Sequence, residues 1–352
     1  MPDLDRLVDQ AHESELFSAP HLQADLERFF ASGAPRVREL AGRARSEGVQ
    51  SVYFVGSGGS WASMYSGKLF CDRFAPVAAD VSLSYELCWR APRRLDGDAL
   101  VFLTSYSGGT EDTLEAARLA RSRGARTVAL VRREDSQLAA LADEVIAYDS
   151  PGLYCLPLAA VASFACEWGR LEGSAEAAAV LAALETMPHA CGDAYRRGRA
   201  RGLERAQELA DSHLLYCLGA GPLYGLAYKF ALTVYMENMR IHGSVIESAE
   251  FRHGPVEMLD RERPDVTALL GTDESRRMTE RSIDVIRARG GRVVTFDAAD
   301  HPDVHPLLTA FPLKVELQWF IAFSAFLRGI EDLDERVAMG HRVLSEGSAT
   351  WP

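Results

Sequence analysis

Thr104-Ser105-Tyr106-Ser107-Gly108-Gly109-Thr110 brings the hydroxyls of Ser105, Ser107 and Thr110 together in a glycine-containing stretch. The run Ala99 to Leu103 before it is apolar and of strand type, and Glu111 to Ala117 after it reads as a helix start with acids in the first turn. A strand that turns through small hydroxyl residues into a helix exposes backbone N–H groups at the positive end of the helix dipole. Three hydroxyl donors at this spacing can converge on one phosphate. The alternative is an ordinary Ser/Gly-rich loop with Thr110 as a helix N-cap.

A second glycine turn, Gly56-Ser57-Gly58-Gly59-Ser60, follows the strand-like run Ser51 to Val55. It lacks the full G-x-G-x-x-G spacing because position 61 is Trp, so no nicotinamide cofactor is expected. Gly58, Gly59 and Ser60 fit better as another wall of a sugar-phosphate pocket, or as a tight strand-to-helix turn that needs glycine. Further along, Glu237 shares a predicted helical face with Phe230, Thr233 and Val234. A carboxylate on an apolar face costs free energy unless paired or protonated, which marks it as a candidate acid or base. The alternative is a rim residue that reaches water or pairs with Arg240. His253 sits in Glu250-Phe251-Arg252-His253-Gly254-Pro255, where His-Gly-Pro cannot continue a helix. A histidine fixed on a turn beside carboxylates can titrate near neutrality, with Glu250 and Arg252 as supporting groups. No Cys cluster or H-x-x-x-H spacing supports a metal.

The elements that must position these residues repeat. Leu214 to Leu218 leads into Gly219-Ala220-Gly221 as Ser51 to Val55 leads into Gly56-x-Gly58. Each device precedes a helical stretch, Ala62 to Phe74 and Leu223 to His242. A second unit follows in each half, with strands at Arg126 to Val131 and Arg292 to Phe296. Strands alternating with helices predict α/β architecture, in two doubly wound parallel-sheet domains of flavodoxin-like three-layer type, with ligands at the strands' carboxyl ends. The expected division is an N-terminal helical segment (1–36), a first domain with the phosphate loop (37–172), a helical connector (173–208), a second domain (209–330) and a tail (331–352). Helix breaks are expected at Ala19-Pro20 and near Gly33-Ala34-Pro35, and a late helix over Leu317 to Ile330.

The 352 residues are 47% hydrophobic and 25% charged, a globular composition. No apolar run looks long enough to span a bilayer, and the start lacks a signal-peptide pattern, so a cytoplasmic protein is expected. The six cysteines are scattered and read as reduced core residues. A net charge of −12 argues against nucleic acid or anionic membrane as partner, and requires any anionic substrate to be held by local features.

Together these residues resemble the SIS (sugar isomerase) family, from about residue 15 to about residue 345. Ser105-Tyr106-Ser107-Gly108-Gly109-Thr110 matches that family's S-x-S-G-x-T phosphate loop, and Ser60 matches its serine in the first glycine turn. The layout is similar to the isomerase half of glucosamine-6-phosphate synthase, where the catalytic Glu precedes the His of the His-Gly-Pro turn by sixteen positions, as Glu237 precedes His253. The resemblance implies Glu237 as acid/base and His253 as the ring-opening group. It also implies a cofactor-independent enzyme whose site is shared across a homodimer, with His253 supplied by the neighbouring chain. The synthase-like tail lysine is missing, since no lysine follows Lys314, and the lysine just before its catalytic Glu is replaced by Val234 or Tyr235. In these respects the chain looks more like the fructosamine-6-phosphate deglycases. The implied reaction is release of glucose 6-phosphate and a free amine from a ketosamine 6-phosphate. A glucosamine-6-phosphate deaminase, an aldose–ketose isomerase and a non-catalytic sugar-phosphate-binding regulator are the alternatives.

Overall fold

The computed structural model describes residues 3–335. Its first sheet holds β1 (Ser51–Gly56), β2 (Ala78–Leu83), β3 (Ala99–Ser105), β4 (Arg126–Val131) and β5 (Glu144–Ala147), in the order β2-β1-β3-β4-β5. Its second holds β6 (Leu214–Gly219), β7 (His242–Glu247), β8 (Asp265–Leu270) and β9 (Arg292–Asp297), in the order β7-β6-β8-β9. Every pairing is parallel. The chain is therefore α/β with two parallel sheets. β1 and β3 are buried at every position, which is why their sequences are near-continuous apolar runs. β2 and β7 lie at sheet edges and are mostly part-exposed.

The positions of β1 and β3 decide where a ligand can sit. They are neighbours, yet the chain leaves β1 toward β2 on one side and β3 toward β4 on the other. The crevice at their carboxyl ends is thus a topological switch point. Both candidate loops, 56–60 and 104–110, open there.

The helices depart from expectation in three places. Residues 22–46 run as unbroken helix past Gly33-Ala34-Pro35: a π-helical turn, Phe29–Gly33, leads directly into Ala34–Ser46. Pro35 therefore lies inside the continuous helix, directly after the π-turn in which the Ala34 amide bonds the Phe29 carbonyl, and that turn accommodates its missing N–H. The expected single helix Leu223 to His242 is a 3-10 turn (Gly221–Leu223), one α-turn (Tyr224–Tyr228) and a π-helix (Lys229–Met239), stopped by Arg240 at φ 53°. His242 already belongs to β7. The late helix begins earlier than expected, spanning Ala310–Leu327 with Pro312 in its first turn. Residues 306–327 are long and apolar enough to cross a bilayer, but 89% of that stretch is buried. It packs along Met187–Glu208, where Gly198 admits the Trp319 ring and Gly202 the Trp319 Cβ and backbone. The expected tail falls partly outside the described residues, which end at Glu335.

Candidate functional site

β3 ends at Ser105, and the following helix, Glu111–Ser122, begins after Thr110. Thr110 occupies the N-cap position but its side chain does not cap. Its hydroxyl instead turns into the loop and lies 2.7 Å from Ser105 Oγ, which lies 3.4 Å from Ser107 Oγ. The three hydroxyls therefore gather at one point, as an anion site needs. The Gly108 amide donates to Ser105 Oγ at 3.0 Å, and the Gly109 amide to Ser107 Oγ at 3.2 Å. Gly108 sits at φ +65°, and a Cβ there would lie 2.3 Å from Cβ of Ser136, so only glycine fits. Ser105 is 2% exposed, whereas Ser107 faces solvent. Ser105 thus braces the loop, and Ser107 and Thr110 present it.

The first glycine turn is fastened to this loop. Ser57 Oγ donates to Asp112 Oδ2 at 2.6 Å, joining the ends of β1 and β3. Gly58 adopts φ +55°, and Ser60 is buried in the first turn of the helix Gly59–Phe74. The corresponding loop of the second sheet, Gly271-Thr272-Asp273-Glu274 after β8, sets two acids beside its hydroxyl, which disfavours an anion there.

Glu237 lies on the π-helix Lys229–Met239 and lines a cavity of about 520 Å³ with Phe230, Val234 and Asn238 of the same segment. The wider π-turn changes which residues share a face. Thr233, expected beside Glu237, instead donates to the Lys229 carbonyl at 2.6 Å. Its methyl approaches Gly58, 3.7 Å from where a Cβ there would be. Tyr235 is fully buried against Thr267 at 2.7 Å, so Val234 is the residue that faces the cavity. Arg240, the alternative partner for Glu237, pairs with Glu335 at 2.5 Å.

Lys229, which the sequence reading passed over, joins cavity and glycine turn. Its Nζ lies 2.8 Å from where a Cβ on Gly59 would be, and Leu153 approaches the same point at 3.4 Å. Both Lys229 and Leu153 line the Glu237 cavity. Tyr106, from the hydroxyl loop, lines it too. Its hydroxyl donates to Glu15 at 3.1 Å and accepts from Arg132 at 2.7 Å, and the Arg132–Glu15 pair closes at 2.5 Å. The hydrogen bond from Arg132 holds the Glu15 carboxyl below its usual range. Asp334 lies at the same mouth, accepting from Ser14 Oγ at 2.8 Å and the Glu15 amide at 3.1 Å. Asn238 donates to the Leu333 carbonyl at 3.0 Å, so residues 333–334 form part of the wall.

The cavity does not include His253. That residue is exposed on the turn between two 3-10 segments, and its Nε2 accepts from Arg252 Nε at 3.0 Å. Glu250 is exposed as well, and its backbone carbonyl accepts from the His253 amide at 2.8 Å. Glu247, unremarked in the sequence, fixes this turn by accepting from the Ala249 amide at 2.7 Å and the Glu250 amide at 3.2 Å. One chain thus brings together the hydroxyl loop, the glycine turn, Lys229 and Glu237, and leaves His253, Glu250 and Arg252 apart on a surface turn.

The chain thus gathers three hydroxyls at the switch point beside a carboxylate-bearing cavity. Residues 48–158 match the SIS domain. The chain is 31% identical over 314 residues to a fructoselysine 6-phosphate deglycase of Escherichia coli, covering 89% of this chain and 92% of that one. It is 30% identical over 259 residues to a fructosamine deglycase of Bacillus subtilis, covering 72% and 78% respectively. The fold matches the C-terminal domain of glucosamine-fructose-6-phosphate aminotransferase from Francisella tularensis with a TM-score of 0.78 at 19% identity, covering 90% of this chain and 97% of that one. The chain belongs to the SIS family.

Proposed function

We propose that this protein is a ketosamine 6-phosphate deglycase, with the two sheets as two SIS domains in tandem, working in the cytoplasm as a homodimer. The observation that carries the reading is the junction at Gly59, where Lys229 and Leu153 connect the glycine turn, itself tied to the hydroxyl loop through Ser57 and Asp112, to the Glu237 cavity. A 6-phosphate held by Ser60, Ser105, Ser107 and Thr110 would set the sugar chain running past Gly59 toward Glu237. Anchoring the remote phosphate makes the carbon chain's approach intramolecular, which is where much of the rate gain comes from.

In the proposed reaction Glu237 takes a proton from C1 of the open-chain ketosamine, giving an enaminol. Reprotonation at C2 gives an imine of glucose 6-phosphate, and water adds to C1 and releases the amine. One carboxylate near C1 and C2 can serve both transfers. Ring opening falls to His253. Its distance from Glu237's cavity supports its delivery by a partner subunit, as a two-fold assembly would allow.

The test is a panel of ketosamine 6-phosphates and hexosamine 6-phosphates assayed for glucose 6-phosphate and fructose 6-phosphate. The expected result is glucose 6-phosphate and stoichiometric free amine from a ketosamine phosphate. Ammonia and fructose 6-phosphate from glucosamine 6-phosphate as the dominant products would refute it.

A further inference from the structure

Only three of the chain's 38 basic residues are lysines, and two of these, Lys229 and Lys314, line the Glu237 cavity. Lys314 has no part in the reaction above. It sits on the helix Ala310–Leu327, 2% exposed. Its Nζ donates to Ser18 Oγ at 2.6 Å and to Gln318 Oε1 at 2.7 Å, both neutral acceptors. An ammonium has three protons, and the third has no partner among the described residues. Gln318 is held in turn by its donation to the Leu16 carbonyl at 2.5 Å. The acid nearest in influence, Asp25, is committed to Arg28 and to Ser150 Oγ, each at 2.5 Å. Cys155 and Cys191 also act on Lys314, but burial pushes both thiols up, Cys155 to about 11, so they remain neutral. Burial correspondingly pulls Lys314 down from its ordinary value.

A buried ammonium resting on neutral oxygens is costly, and an entering anion offsets that cost. The anion is not the sugar's phosphate, which the hydroxyl loop takes beyond Gly59. A ketosamine phosphate made from an amino acid carries a second anion, the carboxylate of its amino-acid half. We propose that Lys314, Ser18 and Gln318 form a carboxylate-recognition subsite, making the enzyme selective for amino-acid-derived ketosamine phosphates over those of plain amines. This inference rests on the deglycase reading. Lysine suits the task because its compact charge fits between Ser18 and Gln318, where a planar guanidinium would not.

The test compares substrates that differ by one carboxylate: fructosylglycine 6-phosphate with fructosylmethylamine 6-phosphate, and Nε-fructosyllysine 6-phosphate with fructosyl-1,5-diaminopentane 6-phosphate. The wild type should prefer the carboxylate-bearing member of at least one pair by about 10- to 100-fold in kcat/KM, the worth of a hydrogen bond to a charged group. Lys314→Met should bring that ratio close to one. If this variant does not fold, Gln318→Glu supplies Lys314 with an internal counter-ion and should collapse the ratio in the same way. A wild type indifferent to the carboxylate overturns the proposal. So does a Lys314→Met enzyme that loses both members equally, as an imine-forming or merely structural lysine would require. Failure of the deglycase reading looks different: no glucose 6-phosphate from any ketosamine phosphate. Calorimetric binding of the same pairs still reads the carboxylate preference in that case, and equal affinities overturn the subsite.

Discussion

Ser105 and Ser107 stand two residues apart in one loop, yet the structure assigns them separable effects. Ser107 is exposed, and its contacts are the Gly109 amide at 3.2 Å and Ser105 Oγ at 3.4 Å, both of which water can replace. Ser107→Ala should therefore leave the ligand-free thermal midpoint unchanged. It should weaken a bound phosphate by about 10- to 150-fold, the loss of one charge-assisted hydrogen bond of about 1.5–3 kcal/mol. Ser105 is buried and holds both Thr110 at 2.7 Å and the Gly108 amide at 3.0 Å. Gly108 retains a second acceptor, the Ser105 carbonyl at 3.3 Å, so Ser105→Ala should cost about 1–2 kcal/mol before any ligand is added. The assay is thermal unfolding with and without glucose 6-phosphate, alongside KM. A 30-fold weaker complex removes about 2 kcal/mol of ligand-induced stabilisation at a fixed saturating concentration. Ser107→Ala with a wild-type ligand shift and wild-type KM would refute the loop as the phosphate site. So would equal turnover of a ketosamine without its phosphate.

Glu237→Gln keeps the shape of the side chain and removes the proton acceptor: kcat should fall by about two to four orders of magnitude while glucose 6-phosphate still raises the thermal midpoint. Near-wild-type kcat would remove Glu237 from the mechanism. Glu237→Gln and His253→Ala, each inactive alone, should regain about a quarter of wild-type activity when co-refolded, because half the dimers then hold one intact shared site; no recovery in a verified heterodimer rules out sharing. Glu316, buried between Arg205 at 2.6 Å and His301 at 2.8 Å, has its carboxyl held below the ordinary range by those partners despite burial. Its contribution to stability is complete above the unfolded carboxylate value and is lost as pH falls through the folded one. Glu316→Gln should cost about 3–5 kcal/mol near neutrality and flatten the acid limb of the unfolding profile, which urea titrations across pH would read.

The strands β1 and β3, buried throughout, and β4, buried from Thr127 on, are legible because burial on both faces writes a continuous apolar run. β2 and β7 were not read: as edge strands they keep only weak patterns, Ala78-Ala79-Asp80-Val81 and His242-Gly243-Ser244-Val245. The hydroxyl loop was legible in full, since its chemistry and its spacing lie within one short segment. The wall around Glu237 was not. A period of 3.6 predicts Thr233 on the Glu237 face, but the segment folds with π-type turns and Asn238 takes that place. Lys229 and Lys314 had a signal that went unused, their rarity. Lysine appears three times against an arginine-rich background, and each of these two interrupts an apolar stretch. The joining of Glu15, Tyr106, Arg132 and Asp334 at the cavity mouth depends on contacts spanning 91, 117 and 320 positions, which no local pattern encodes.

The charge of the molecule explains why these lysines matter. A chain at −12 repels a phosphosugar at long range, and the carboxylates of Glu15, Glu237 and Asp334 stand around the cavity itself. Arg132 at the mouth is committed to Glu15 and Tyr106. Attraction must therefore be delivered at contact distance and away from water, where screening is weak and a single charge is worth most. Under the proposed reading the loop supplies it with hydroxyls that carry no net charge. Lys314 supplies it with an ammonium shielded from solvent and held off the nearest acid. Cleavage would then divide these contacts: glucose 6-phosphate keeps those to the loop and loses the one to Lys314 once its amino-acid half is gone.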